Sequence, residues 1–143
     1  MKAIRHFGIV VSNAEKSLHF YGDLLGLKMQ RDIIEEGPFV EGLLGLKNVK
    51  VRTMKMAADD GNLIELLYYI SDEHKRNPAQ KEMQAIGASH AAFTVEDIDS
   101  LYNIMKSEGV TFNAAPAVSV DGKAKVVYCY DPDGTPIELV QML

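Results

Sequence analysis

A single cysteine, Cys129, is present in the 143 residues, so no internal disulfide can form. This scarcity of cysteine fits a reducing compartment, and the sequence predicts a cytoplasmic protein. An excess of positive charge is also missing: the formal net charge is −5, which predicts no nucleic-acid partner and no polybasic membrane patch. No apolar run is long enough to span a bilayer, and residues Met1 to His6 lack the apolar core of a signal peptide.

One pattern is present twice, namely an acidic turn that carries a glycine and is followed by Ile-Glu-Leu. The two copies are Ala58 to Leu66 and Asp131 to Leu139. A turn of this composition delivers a strand, and alternate side chains of a strand face opposite ways. Glu65 and Glu138 therefore face away from the apolar neighbours that enter the core. Matched carboxylates in two copies are difficult to explain as the polar side of a half-solvated sheet.

The rest of the chain repeats in the same order. A strand that begins with histidine opens each half, at His6 and at His90, and a helix with one apolar stripe follows it. The first helix is expected to begin with a capping box formed by Ser12 and Glu15. Each half thus predicts a βαβββ module, and the fold class is α+β.

The modules are expected at about residues 1–70 and 88–143, with a polar linker at about 71–87. Because about 60 residues bury little core alone, we expect one domain over 1–143. The first copy has extra residues, Gly37 to Asn48, which predict a loop with at most one helical turn that caps one side of the cleft.

If the two predicted sheets pair about a pseudo-twofold axis, four side chains converge: His6, Glu65, His90 and Glu138. Two neutral imidazoles and two carboxylates neutralise one divalent ion and leave positions open for water or substrate. This donor set suits a catalytic Zn, Ni, Co, Mn or Fe(II) ion. A single histidine is more often structural than metal-bound, and only the repetition favours a metal site here.

These residues carry a resemblance to a known family. The chain resembles the vicinal-oxygen-chelate superfamily, which includes glyoxalase I, extradiol dioxygenases, methylmalonyl-CoA epimerase and the fosfomycin and bleomycin resistance proteins. The segments that match the superfamily are His6, Phe20 to Leu27, Ile64 to Leu66, His90, Asp131 to Gly134 and Ile137 to Leu139.

The resemblance implies that the two modules pair into a cupped mixed β-sheet around a metal cleft. It also implies a metal that chelates vicinal oxygens of a small-molecule substrate, and a homodimer, which is common in the family. The His-Glu-His-Glu set is similar to bacterial glyoxalase I (lactoylglutathione lyase), a proton-transfer lyase in which Glu138 and Glu65 would also be catalytic. Glyoxalase I typically has an Arg and an Asn for glutathione at the positions of Val10 and Tyr69. These two residues argue against glutathione as the thiol.

Two other functions stay open. The segment around Tyr128 resembles the end of the extradiol dioxygenase signature, which would make Tyr128 a substrate-binding residue, although the catalytic histidine of that signature is missing near Ser119 to Asp121. A drug-binding resistance protein is the alternative outside enzymes. Arg52 and Lys55 on a predicted strand could bind an anionic substrate, but a solvated sheet edge is the simpler interpretation.

Overall fold

The computed structural model describes residues 3–71, 83 and 90–143. The chain divides into two compact units, Met1–Asn77 and Pro78–Leu143, which we call unit 1 and unit 2. Of the predicted linker at about 71–87, only residues 71 and 83 lie within the described residues. That the two modules form one domain over 1–143 stays a prediction.

Unit 1 is a four-stranded mixed sheet with the strand order β1-β4-β3-β2. β1 is parallel to β4, and the other neighbours are antiparallel. Its elements in chain order are β1 (Phe7–Val10), α1 (Ala14–Leu18), which continues as a π-helical segment (His19–Leu24), β2 (Lys28–Glu36), α2 (Pro38–Leu44), β3 (Lys50–Ala57) and β4 (Leu63–Tyr69).

The start of α1 differs by one residue from the expected capping box. Asn13, not Ser12, is the cap: its side-chain oxygen accepts a hydrogen bond of 2.9 Å from the backbone N–H of Lys16. Asn, Asp and Ser are nearly equal as caps, so two adjacent candidates in a sequence do not tell which one begins the helix. The helix is closed as expected by Gly26, whose φ of 77° suits glycine.

The two faces of the unit 1 sheet have different neighbours. Met54, Met56 and Leu66 are almost fully buried on the side covered by α1 and its π-helical continuation. The opposite side carries Glu65, and we call it the Glu65 face; its other members on the two central strands are Val51, Thr53, Lys55, Leu67 and Tyr69.

The extra segment of the first copy contains a seven-residue helix, α2, rather than a loop with one turn. Pro38 occupies the first turn, where its missing N–H costs nothing, and Gly45 ends the helix with a φ of 68°. Val40 is buried against Val49 and Val51. Because Val51 belongs to the Glu65 face, α2 packs on one end of that face and adds no strand to the sheet.

Unit 2 repeats this topology with the strand order β5-β8-β7-β6, and β5 is parallel to β8. Asp97 caps its helix by accepting from the N–H of Ser100 at 3.0 Å. Oδ1 of Asp131 accepts from the N–H groups of Asp133 and Thr135, which fixes the turn before β8. The elements are β5 (Ala91–Thr94), α3 (Ile98–Ser107), β6 (Ala117–Val118), β7 (Ala124–Tyr130) and β8 (Pro136–Met142).

The predicted α+β class with two βαβββ modules is confirmed, since each unit has one strand, one helix and then three strands in its sheet, with α2 inserted between β2 and β3 of unit 1. Within the part of the chain that the structure describes, no helix is long and apolar enough to cross a membrane.

Candidate metal and substrate site

In unit 1, four residues in register form one row across the sheet, which we call the Glu65 row. Gly8 on β1 is the partner of Glu65 on β4, and Glu65 is the partner of Lys55 on β3. Lys55 in turn is opposite Arg31 on β2, the edge strand. Directly paired residues project to the same face, so the row places a carboxylate between a glycine and two cations.

Glu65 is contacted from two sides. Nε2 of His6 lies 3.0 Å from its Oε2, and Nζ of Lys55 lies 3.2 Å from its Oε1. The Glu65 side chain is 13% exposed and that of Lys55 is 24% exposed, so both charges are partly withdrawn from water. Nδ1 of His6 is buried without a hydrogen-bond partner. A buried unpaired nitrogen costs about 1–3 kcal/mol, which indicates that His6 occupies this position at a cost to stability.

Unit 2 presents the equivalent arrangement on β5, β8 and β7. Nε2 of His90 lies 3.2 Å from Oε2 of Glu138. Ala92 takes the place of Gly8, and Tyr128 takes the place of Lys55 as the residue opposite the carboxylate.

The ring of Tyr128 stands edge-on to that of His90, with 5.5 Å between ring centroids. Burial, the hydrogen bond with Glu138 and the charge of Glu138 together raise the pKa of the Tyr128 hydroxyl. Tyr128 is therefore a neutral hydroxyl that can donate a proton to a hydrogen bond beside the carboxylate. The equivalent position of unit 1 holds the positively charged side chain of Lys55 instead.

The separation within each His–Glu pair suits a shared metal ion. Two ligand atoms about 2.1 Å from one ion and about 90° apart are about 3.0 Å from each other. The Nε2–Oε2 separations of 3.0 Å in unit 1 and 3.2 Å in unit 2 match this value. They also match a hydrogen bond from an imidazole N–H to a carboxylate. Among the described residues, no group of three or more His, Cys, Asp or Glu side chains is assembled for a metal.

The structure thus brings together the predicted ligands as two pairs, His6 with Glu65 and His90 with Glu138. Tyr128, predicted to bind substrate, lies beside Glu138. Of the glutathione-related positions, Val10 is exposed on β1 and Tyr69 is half-buried on β4.

Other candidates from the sequence lie elsewhere. His19 pairs with Asp23 on the surface of the first helical segment at 2.8 Å. Arg52 points to the α1 side of the sheet, where it binds Asp32 and Glu15, and so it is no part of the Glu65 face. His74 lies outside the described residues.

The sequence does not indicate that Lys55 and Arg31 lie beside Glu65. For Lys55 it allows an anion-binding role but favours a solvated sheet edge, and for Arg31 it predicts no role. The repeat contained a signal for Lys55, since Lys55 precedes Glu65 by the same number of residues as Tyr128 precedes Glu138. Arg31 had no such signal, because its position opposite Lys55 depends on a bulge in β2 between Met29 and Arg31.

Cys129 takes no part in this chemistry. It is fully buried on β7, and burial together with the charge of Asp131 raises the pKa of its thiol to about 12. A thiol with this pKa is almost entirely protonated at neutral pH and is neither a nucleophile nor a metal ligand.

The chain is similar to known proteins over nearly its whole length. The family model described as the Glyoxalase/Bleomycin resistance protein/Dioxygenase superfamily matches residues 3–139. A lactoylglutathione lyase of Schizosaccharomyces pombe is 31% identical over 147 residues, which cover 96% of this chain and 46% of that protein. The chain therefore spans less than half the length of this relative.

One further relative and one solved structure match over nearly their whole length. An uncharacterized protein of Escherichia coli is 28% identical over 99% of this chain and 97% of its own. A crystal structure of a glyoxalase family protein from Bacillus cereus superposes with a TM-score of 0.91 at 23% identity, covering 100% of this chain and 95% of that one. The last likeness concerns the fold alone. The chain belongs to the glyoxalase/bleomycin resistance protein/dioxygenase superfamily.

Proposed function

We propose that this protein is a metal-dependent lyase or isomerase of the glyoxalase I type, which transfers a proton between adjacent carbons of a small oxygen-chelating substrate. The observation that carries the proposal is the pair of His–Glu contacts at equivalent positions of the two units, with separations suited to metal ligands. The relative named lactoylglutathione lyase supports the same reaction class.

His6, Glu65, His90 and Glu138 are the residues that would hold the ion. When bound, a divalent ion supplies Lewis-acid polarisation of the substrate oxygens, which acidifies the neighbouring C–H bond. These four residues include no cysteine, so the donor atoms are nitrogen and oxygen only. Such donors suit Zn, Ni, Co, Mn or Fe(II).

The proton transfer is assigned to the carboxylates, and their surroundings give them different roles. Within the described residues, no lysine or arginine pairs with Glu138, whose neighbours are His90 and the neutral hydroxyl of Tyr128. Glu138 therefore takes the proton from the substrate carbon and returns it to the adjacent carbon or oxygen. Glu65, paired with the ammonium of Lys55, serves as the second proton carrier.

The identity of the thiol in the substrate adduct is a separate part of the proposal. The exposed apolar side chain of Val10 offers no charge to a glutathione carboxylate, and Tyr69 offers only a hydroxyl. We therefore expect a substrate other than the glutathione adduct.

Metal analysis of protein purified without an affinity tag tests the proposal. We expect about one divalent ion per chain in the wild type, and a large loss of metal in His90→Ala and Glu138→Ala. Glu138→Gln should lower occupancy or abolish turnover, because it removes a charge and a base together. His19→Ala is the matched control, since it breaks a His–carboxylate contact of similar length on a helix surface.

Full metal occupancy in both His90→Ala and Glu138→Ala would refute the proposed ligands. Two ions per chain would show that each His–Glu pair holds its own ion, and would refute the prediction that all four residues share one.

The extradiol dioxygenase is the second candidate, favoured by the position of Tyr128 beside a carboxylate and a histidine. It needs an acid–base histidine near Ser119 to Asp121. In that segment the Ser119 hydroxyl donates to Asp121 at 2.6 Å, and the residues form a turn between β6 and β7. Drug sequestration requires no ligand set, so the intact His–Glu pairs count against the resistance-protein alternative.

A further inference from the structure

Two cations face each other on the Glu65 face. Lys55 on β3 and Arg31 on β2 are register partners, so their side chains leave the sheet on the same side and about 5 Å apart at Cβ. Like charges directly opposite each other destabilise an antiparallel pair. Lys55 is compensated by Glu65, but within the described residues Arg31 is in ion-pair contact with no carboxylate, and its side chain is exposed.

The bulge in β2 creates this unfavourable pair. Lys28 and Met29 are opposite Ala57 and Met56, and without the bulge the next residue, Gln30, would lie opposite Lys55. The extra residue moves Arg31 into that position instead. Bulges of this kind re-aim a side chain, and they are frequent next to active sites.

We propose that Arg31 and Lys55 form an anion-binding subsite on the Glu65 face, which takes a carboxylate or phosphate group of the substrate. That the anion belongs to the substrate rests on the proposed function; that the two side chains bind an anion does not.

The donors suit one anionic group. Lys55 has three N–H donors and directs one of them to Glu65, so two remain. The guanidinium of Arg31 presents a planar fork that matches a carboxylate or a phosphate with two parallel hydrogen bonds. An anion bound between them neutralises the like-charge pair that the bulge creates.

The position in the row defines the substrate class further. Neighbouring strands are about 4.8 Å apart, so Lys55 is one strand and Arg31 two strands away from Glu65. A substrate that reaches both the Glu65 carboxylate and the subsite therefore carries its anionic group about 5–10 Å from its metal-chelating oxygens. Unit 2 offers no second subsite of this kind in its described residues. Tyr128 stands in place of Lys55, and β6 pairs only with Lys125 and Val126 of β7, so it places no residue opposite Tyr128.

Anion titrations followed by amide NMR test the subsite on the full-length protein, as purified and after removal of metal with EDTA. Inorganic phosphate and acetate are the two probes, and their relative affinities distinguish a phosphate subsite from a carboxylate subsite. We expect both samples of the wild type to bind at least one probe, with the largest shifts at residues 31 and 55. Arg31→Met and Lys55→Met should each weaken binding about tenfold, which is the effect of losing a charge-assisted hydrogen bond.

Lys47→Met is the matched control, because it removes the same charge from an exposed position of unit 1 outside the row. Arg31→Lys keeps the charge but loses the planar fork, and should recover part of the affinity. The subsite is refuted if Lys47→Met weakens anion binding as much as Arg31→Met does, or if Arg31→Met leaves the anion affinity unchanged. Both outcomes are independent of Lys55→Met, which also removes the ion-pair partner of Glu65. Metal content of the same samples is measured in parallel, so a failure of the metal site and a failure of the anion subsite give different results.

Discussion

At the scale of single residues, the two units differ in the side chain opposite the glutamate of each His–Glu pair. Lys55 gives Glu65 a charged partner, while Tyr128 gives Glu138 a neutral one. A duplicated module would place the same groups around both carboxylates, and this difference is the basis on which we propose distinct roles for them. Directly opposite these two carboxylates, a positive charge is therefore present only in unit 1.

On the α1 side of the unit 1 sheet, a charged residue forms ion pairs that stabilise the fold. Nε and Nη2 of Arg52 donate to both oxygens of Asp32 at 2.9 and 2.7 Å, and Nη1 donates to Glu15 at 2.9 Å. These hydrogen bonds, helped by the charge of Arg52 and opposed by partial burial, hold the pKa of Asp32 below its ordinary value of 3.8.

We predict that Asp32→Asn lowers the free energy of unfolding at pH 7 by about 0.5–1 kcal/mol, the upper range for a pair this exposed. A lowered folded-state pKa stabilises the protein above the unfolded-state pKa, and this stabilisation disappears as pH falls through the folded-state pKa. The difference between wild type and variant should therefore be complete at pH 7 and shrink below about pH 4. Urea unfolding at several pH values measures it.

The control is Asp59→Asn, which breaks the contact between Asp59 and Lys28 at 2.7 Å on an open surface. It should leave the free energy of unfolding unchanged at either pH. A difference for Asp32→Asn that grows as the pH falls would contradict the assignment of the ionised form to the folded state.

At the scale of elements, α2 is the helix that the sequence predicts least well. Its glycines and proline have the composition of a loop, and a seven-residue helix is too short to show a clear apolar stripe. Helices of this length gain their stability from packing, which here is the contact of Val40 with Val49 and Val51. The sequence does not reveal such a contact, because it depends on where the helix lies on the sheet.

This packing changes the expectation for the extra segment. A cap without core contacts could be removed at little cost, but Val40 is only 5% exposed. We predict that Val40→Ala lowers the free energy of unfolding by about 2 kcal/mol, through lost burial and the cavity that remains. Chemical denaturation of the full chain measures this change.

Phe39→Ala and Leu43→Ala provide the comparison on the same helix, because Phe39 is 81% and Leu43 is 70% exposed. Each should change stability by no more than about 0.5 kcal/mol. If Val40→Ala were as mild as these two, α2 would be an accessory cap without a role in the core, as the sequence predicted.

At the scale of the whole molecule, the duplication explains which contacts of the candidate site can be predicted from the sequence. The repeat gives two strands with a histidine and two with a glutamate, and parallel pairing of the first and last strands brings each His–Glu pair together. Those contacts follow from the order of the elements. Arg31 joins the Glu65 row only through a one-residue bulge, and no composition or periodicity signals the position of that bulge.

The single domain predicted over 1–143 can be tested through folding cooperativity. Each unit is small, and small modules rarely fold alone, so we predict one unfolding transition for the full chain. The amide NMR signals of Leu66 in unit 1 and Leu139 in unit 2, both fully buried, should disappear at the same urea concentration. Two separate midpoints would mean that the units are independent domains.

The last prediction distinguishes the two enzyme classes. Proton transfer needs only a Lewis acid, so Zn or Ni should support turnover and oxygen should have no effect. Ring cleavage needs Fe(II) or Mn(II), with one face left open to catechol and oxygen by a two-histidine, one-carboxylate set. As a proposed fourth ligand, Glu65 would fill a position that such a set leaves free, and the turn at Ser119 to Asp121 supplies no histidine. We therefore predict that turnover of 2-oxoaldehyde adducts with a panel of thiols persists under strict anaerobiosis in the Zn- or Ni-loaded protein. Oxygen- and iron-dependent consumption of a catechol would instead identify the protein as a dioxygenase.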